Sequence, residues 1–237
     1  MVRLVILLLV STTAIFSVGV VGFSIRALAE LEFATTIIGS RELLTAASVM
    51  LAVGAFALVT APLGLLSAMA TYSPITLTYA ILMFFICLLS IVGCCFGFRL
   101  RNEIDSGVIL EWMNYSLQTE YGNPFADDLT FSWDQLHEKY ACCGITDQRS
   151  PTAWLNSYWF MTYDSRWPRP RVPPSCCSTC ETKGCYKPLL RDLHYYSKGT
   201  ILVSSIMAFL CLLNVFLCFF THKFLFDNRI HGESLIP

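Results

Sequence analysis

From Leu43 to Phe98 the chain has no Lys, Arg, Asp or Glu across 56 residues. As one helix that run would be about 84 Å long, and a bilayer core is only about 30 Å thick. It must therefore fold back on itself. The break is expected at Thr71-Tyr72-Ser73-Pro74, because Pro74 lacks an amide hydrogen and disfavours helix at Ser73. Helices of about 28 and about 24 residues result, each long enough to cross. Breaking at Pro62-Leu63-Gly64 instead would leave one helix short and the other overlong.

Leu4 to Ile25 and Gly199 to Phe220 are also uncharged, which brings the expected crossings to four. Met1-Val2-Arg3 before the first run and Ala27-Leu28-Ala29 after it imitate a signal peptide. The apolar run of 22 residues exceeds the usual ~7–15 of a signal core, so a retained helix is expected. Composition agrees. Hydrophobic residues are 55% and charged residues 14% of 237 positions, where a soluble domain has about 25% charged. A net charge of −1 argues against nucleic acid as a partner, since such binding needs clustered Lys and Arg.

The long polar stretch between the third and fourth runs holds Cys142, Cys143, Cys176, Cys177, Cys180 and Cys185. Clustered cysteines suit an oxidising compartment, and Asn114-Tyr115-Ser116 is a glycosylation sequon that functions only in the secretory lumen. Both place this stretch outside, with Asn114 as the glycosylation candidate. Six cysteines allow 15 pairings, and the vicinal Cys142 and Cys143 are expected to reach different partners. Zinc is the chemical alternative at Cys177-Ser178-Thr179-Cys180, but it requires reduced thiols. Within the stretch, residues from Arg99 to about Tyr121 read as a helix continuing the third crossing, ended by Gly122-Asn123-Pro124. A second helix is expected from Ser132, with Gln135 completing a capping box and Trp133, Leu136 and Tyr140 on one face.

Cys142-Cys143-Gly144, Pro173-Pro174-Ser175-Cys176-Cys177 and Gly184-Cys185, with Trp133, Leu136 and Trp154 around them, resemble the large extracellular loop of tetraspanins. A short first loop, a tiny inner turn and four crossings extend the resemblance in architecture to essentially the whole chain. It implies an all-α membrane protein: four transmembrane helices with a disulfide-stapled, mainly helical large extracellular loop between the third and fourth. The expected divisions are 1–98 for three crossings, with a first loop at about 26–42 and a turn at about 71–74. The large loop follows at 99–198, then the fourth crossing at 199–220 and a cytosolic tail at 221–237. The resemblance also implies bridges Cys142–Cys185 and Cys143–Cys176, leaving Cys177 with Cys180.

Some family features are missing. The first crossing lacks the usual Asn, and no acidic residue lies in the third. Cys94 and Cys95 fall near the outer end of the third helix, which leaves Cys218 as the palmitoylation candidate. Ala47, Gly54, Ala61 and Ala68, with Ala57 and Gly64 interleaved, form a small-residue stripe that lets membrane helices approach closely. Asn214, alone as a polar amide in the fourth run, should face the bundle or a cavity.

No nucleophile elbow or phosphate-binding glycine loop is present, and His137-Glu138 lacks the second histidine of a zincin. No enzyme activity, cofactor or metal is expected. A channel or transporter is the alternative, but it would normally carry ionisable groups within its crossings, and the four windows have none. The expected function is a scaffold that organises partner membrane proteins laterally at the plasma membrane or endosomal membranes, both termini cytosolic. Resemblance implies other integral membrane proteins as partners, copies of itself and other tetraspanins included, and a membrane lipid such as a sterol in an intramembrane cavity. The candidate partner surface is Tyr158-Trp159-Phe160 with Arg166, Trp167, Arg169 and Arg171, because aromatic and Arg side chains dominate interface hot spots.

Overall fold

A computed structural model describes residues 2–69, 73–147, 150–162, 170–176 and 183–233. The described secondary structure is helical throughout: α1 (Val2–Ile38), α2 (Glu42–Met69), α3 (Ser73–Ser106), α4 (Val108–Tyr115), a π-helical turn (Ser116–Glu120), α5 (Asp127–Tyr140), α6 (Ser150–Leu155), α7 (Tyr158–Thr162) and α8 (Tyr186–Glu233). Four of these, α1, α2, α3 and α8, are long and apolar enough to cross a membrane. Pro62 lies inside α2, whereas Pro74 sits in the first turn of α3. A proline in a first helical turn removes a donor that has no acceptor there anyway.

The chain divides into two compact units. The first comprises Met1–Arg26, Thr45–Phe96 and Gly199–Pro237. Its core is built from Val10, Met50, Val53, Ala57, Tyr79, Met83, Met207 and Cys211, among others. Close approach in this unit depends on glycine: a Cβ on Gly64 would lie 2.8 Å from the Tyr79 ring and 2.9 Å from Val10. Membrane helices gain their association energy from such packing, because lipid is as apolar as their own side chains.

The second unit comprises Ala27–Leu44 and Gly97–Lys198. The stretch expected as the first extracellular loop, about 26–42, is mostly helical. Only Gly39, Ser40 and Arg41 are non-helical, because Arg26-Ala-Leu-Ala-Glu-Leu-Glu is made of strong helix formers and carries α1 onward. Leu31, Ala34, Ile37 and Ile38 on that extension are buried.

The helix expected from Arg99 to about Tyr121 is broken in the structure. α3 ends at Ser106, Gly107 adopts φ 78°, and α4 starts at Val108. That backbone conformation is open to glycine at little steric cost. α5 also begins earlier than Ser132, at Asp127, and no side chain caps it. Asp127 and Asp128 in its first turn, with His137 and Lys139 in its last, complement the helix dipole. Ser132 donates back to the Asp128 carbonyl at 2.7 Å, as a serine inside a helix does.

Candidate functional site

The cysteine-bearing segments meet within the second unit. α5 ends at Ala141, whose φ of 46° turns the chain, and the Cys142 amide donates to the His137 carbonyl at 3.2 Å. From there, Cys143 N–H donates to Lys183 O at 2.8 Å. Cys185 N–H donates to Gly144 O at 3.0 Å, and Tyr186 N–H to Ile145 O at 3.0 Å. Cys-Cys-Gly and Gly-Cys therefore clasp each other backbone to backbone. A Cβ on Gly184 would stand 2.3 Å from Ile145 O, so the clasp admits no side chain there. Gly184 N–H also donates to Asp147 Oδ1 at 2.9 Å, while Asp147 Oδ2 meets Lys187 Nζ. The Lys187 hydrogen bond and then the Gly184 amide hold the Asp147 carboxyl below its ordinary range.

Two disulfides fix this clasp: Cys142–Cys185, with Cα atoms 5.1 Å apart, and Cys143–Cys176, at 5.2 Å. Adjacent cysteines thus tie α5 to two different segments, the start of α8 and the Pro-Pro-Ser-Cys turn. Cys177 and Cys180, expected to pair with each other, lie outside the described residues. Among the described residues no group of His, Cys, Asp or Glu could hold a metal ion.

An aromatic core lies behind the staples. Trp133 and Trp154 are fully buried. Trp133 Nε1 donates to Ser116 Oγ at 3.2 Å. Tyr121 stacks edge-on to Trp154 at 4.9 Å and donates its hydroxyl to Asp134 Oδ1 at 2.7 Å. Burial raises the Tyr121 phenol well above its ordinary range. His137 is 1% exposed and sits 5.7 Å from Trp133 and 5.6 Å from Trp154 between ring centroids. Its Nδ1 pairs with Ser175 Oγ at 2.9 Å, and its Nε2 has no partner among the described residues. Burial lowers its pKa to about 4, with the Asp134 charge opposing. Sequence reading took His137 only as half of a failed zinc motif. The signal that could have found it is its place four residues after Trp133 and one after Leu136, on the apolar face of α5.

The candidate partner residues divide. Tyr158, Trp159 and Phe160 form much of α7 and are half-buried. The Trp159 ring lies 5.9 Å from Trp154 and 6.4 Å from Tyr121, and Gly122 packs against it. Its area is spent on the unit's own core. Arg171 is exposed, while Arg166, Trp167 and Arg169 fall outside the described residues. Exposed aromatics appear where no expectation placed them: Phe125 at 98% and Phe131 at 63%.

Asn114 is exposed on α4, and its Nδ2 donates to Leu110 O at 3.0 Å. The sequon's hydroxyl, on Ser116, is buried against Trp133. In the first unit Asn214 is buried and fully engaged. Its Oδ1 accepts from the Tyr79 hydroxyl at 3.1 Å, and its Nδ2 donates to Thr13 Oγ1 and Leu210 O, both at 2.9 Å. Cys218 is 2% exposed and packed in that unit's core. It is a free thiol there.

A sequence model of the tetraspanin family matches residues 2–223. The chain belongs to the tetraspanin family. Similar relatives include Tetraspanin-15 of Caenorhabditis elegans, 28% identical over 148 residues covering 54% of each chain. CD151 antigen of Chlorocebus aethiops is 25% identical over 150 residues, 63% of this chain and 56% of that protein. Tetraspanin-11 of Mus musculus is 27% identical over 162 residues, 68% and 61%. The chain spans 54–61% of the length of these relatives. As a tetraspanin it is a multi-pass integral membrane protein, and its clasp, bridges and four long helices are the parts that define its second unit and its crossings.

Proposed function

We propose that this tetraspanin is a lateral membrane scaffold that gathers other integral membrane proteins, further tetraspanins or its own copies included. One observation carries the reading: a unit stapled by two disulfides leaves Phe125 98% exposed and Phe131 63% exposed. A rigid frame holding large apolar side chains in water is what a protein-binding surface needs, since ordering costs are already met before the partner arrives. Arg166, Trp167, Arg169 and Arg171 remain part of the proposed surface. The clustered cysteines and the Asn114 sequon support an outward second unit and cytosolic termini, at the plasma membrane or in endosomal membranes, with 99–198 as the external loop and Cys177 bridged to Cys180. A sterol bound among the crossings belongs to the same proposal.

The test is cross-linking in intact cells, followed by purification of the full chain with its neighbours. Phe125→Ser combined with Phe131→Ser should remove a defined set of membrane-protein neighbours while the two bridges and surface amount stay normal. An unchanged set of neighbours would move the binding surface away from these side chains.

A further inference from the structure

On α8, Lys187, Arg191, His194 and Lys198 recur at intervals of three or four, so they stand along one helical face. Together with Arg101 and Asp105 of α3 they line an open groove of about 790 Å3 within the second unit. The one acid among the described residues of the lining is already taken: Asp105 pairs with Arg101 at 3.0 Å. Lys187 is taken as well, by Asp147. Arg191 reaches its sequence neighbour Asp192 only at 3.6 Å, with its side chain 79% exposed. Lys198 has no ion pair among the described residues. His194 Nδ1 is a buried nitrogen with no hydrogen-bond partner among the described residues. The surplus of this groove is therefore cationic, and it comes from Arg191 and Lys198.

Sequence fixes the depth of these groups. Arg101 stands three positions after Phe98, where the third apolar run ends, and Lys198 immediately precedes Gly199, where the fourth begins. Both run ends lie on one side of the bilayer, because the third and fourth crossings are joined there. The groove is thus at headgroup level, where Lys, Arg and Tyr flank membrane spans and where lipid phosphate is the dense anion. Arg offers a planar donor fork that matches phosphate, and Lys a point charge.

We propose that this groove seats the phosphate of an anionic phospholipid headgroup, held by Arg191 and Lys198. Removing both side chains takes away two exposed ion pairs to one phosphate, which should cost up to about 30-fold in affinity. Both side chains are exposed, which keeps the core out of the comparison.

The full chain, purified in neutral detergent micelles, would be titrated with phosphatidylglycerol and retained lipid counted by native mass spectrometry. Arg191→Gln with Lys198→Gln should lose up to about 30-fold in phosphatidylglycerol affinity. Arg41→Gln with Lys183→Gln, which removes the same charge at exposed positions outside the groove, should bind as the wild type does. Non-reducing peptide mapping would verify both bridges in every variant. Three results would each overturn the proposal: equal weakening by both double variants, no preference of the wild type for phosphatidylglycerol over phosphatidylcholine, or displacement of the lipid by inorganic phosphate at equal concentration.

Discussion

His137 is a base that the fold keeps from its proton. The rings of Tyr121, Trp133 and Trp154 surround it, and the nearby Asp134 carboxylate is engaged by the Tyr121 hydroxyl. An unfolded chain takes up this proton near pH 6.5, whereas the folded one does so only near 4. Between those values the unfolded state binds more protons, so stability falls as the pH falls. The stability is complete above about pH 6.5, and up to about 3 kcal/mol is lost by pH 4. Denaturant titration of the full chain across that range should show the decline, and His137→Phe should flatten it. Gly184 offers a second test at this scale. Because a Cβ there would meet Ile145 O at 2.3 Å, Gly184→Ala should open the clasp. Non-reducing peptide mapping should then recover less of the Cys142–Cys185 bridge from the variant than from the wild type, because a clasp that cannot close hinders that pairing as the chain oxidises.

Among the elements, the helices of the first unit are joined by a polar network as well as by packing. Asn214 on α8 links Thr13 on α1 to Tyr79 on α3, and Thr13 Oγ1 passes its own hydrogen to the Leu9 carbonyl at 2.7 Å. Every group in the chain of bonds has a partner, which is the condition under which buried polarity is tolerated. Asn214→Leu leaves the Tyr79 hydroxyl without its acceptor. The expected loss is about 1–2 kcal/mol, at the upper end for hydrogen bonds between membrane helices, read as earlier unfolding in a detergent titration with secondary structure unchanged beforehand. The break between α3 and α4 is testable too. Gly107 holds φ 78° with nothing within 4 Å of a would-be Cβ, so Gly107→Ala probes backbone strain alone and should cost about 1–2 kcal/mol.

At the scale of the whole molecule, the two bridges of the second unit have sequence separations of 43 and 33 residues. Each should contribute about 2–4 kcal/mol, with a mechanism that depends on the model of the unfolded chain. Cys143→Ser with Cys176→Ser should therefore lower the midpoint of unfolding of the second unit and reduce the amount of protein reaching the cell surface, measured by surface labelling. Protease shaving of intact cells checks the proposed orientation. An epitope inserted beside Arg171 should be removed, and one on either tail spared.

Where the crossings fall was legible from charge alone. A run of 56 uncharged residues permits few alternatives once the bilayer sets the length of a helix, and Pro74 stands in the first turn of α3. The apolar face of α5 was equally plain in Trp133 and Leu136, because helical spacing is a one-dimensional property. The helix ends were not. Gly107 broke a helix that periodicity carried through, and α1 ran past its charges, because propensity and packing there outweigh polarity. The bridge pattern entered through resemblance, since spacing alone left 15 pairings open. His137, the clasp at Gly184, the engagement of Asn214 and the burial of Trp159 and Cys218 are decided by which neighbours long-range packing supplies. Sequence states what each residue can do; only the tertiary structure, by bringing distant segments within a few ångströms, decides which partner satisfies it.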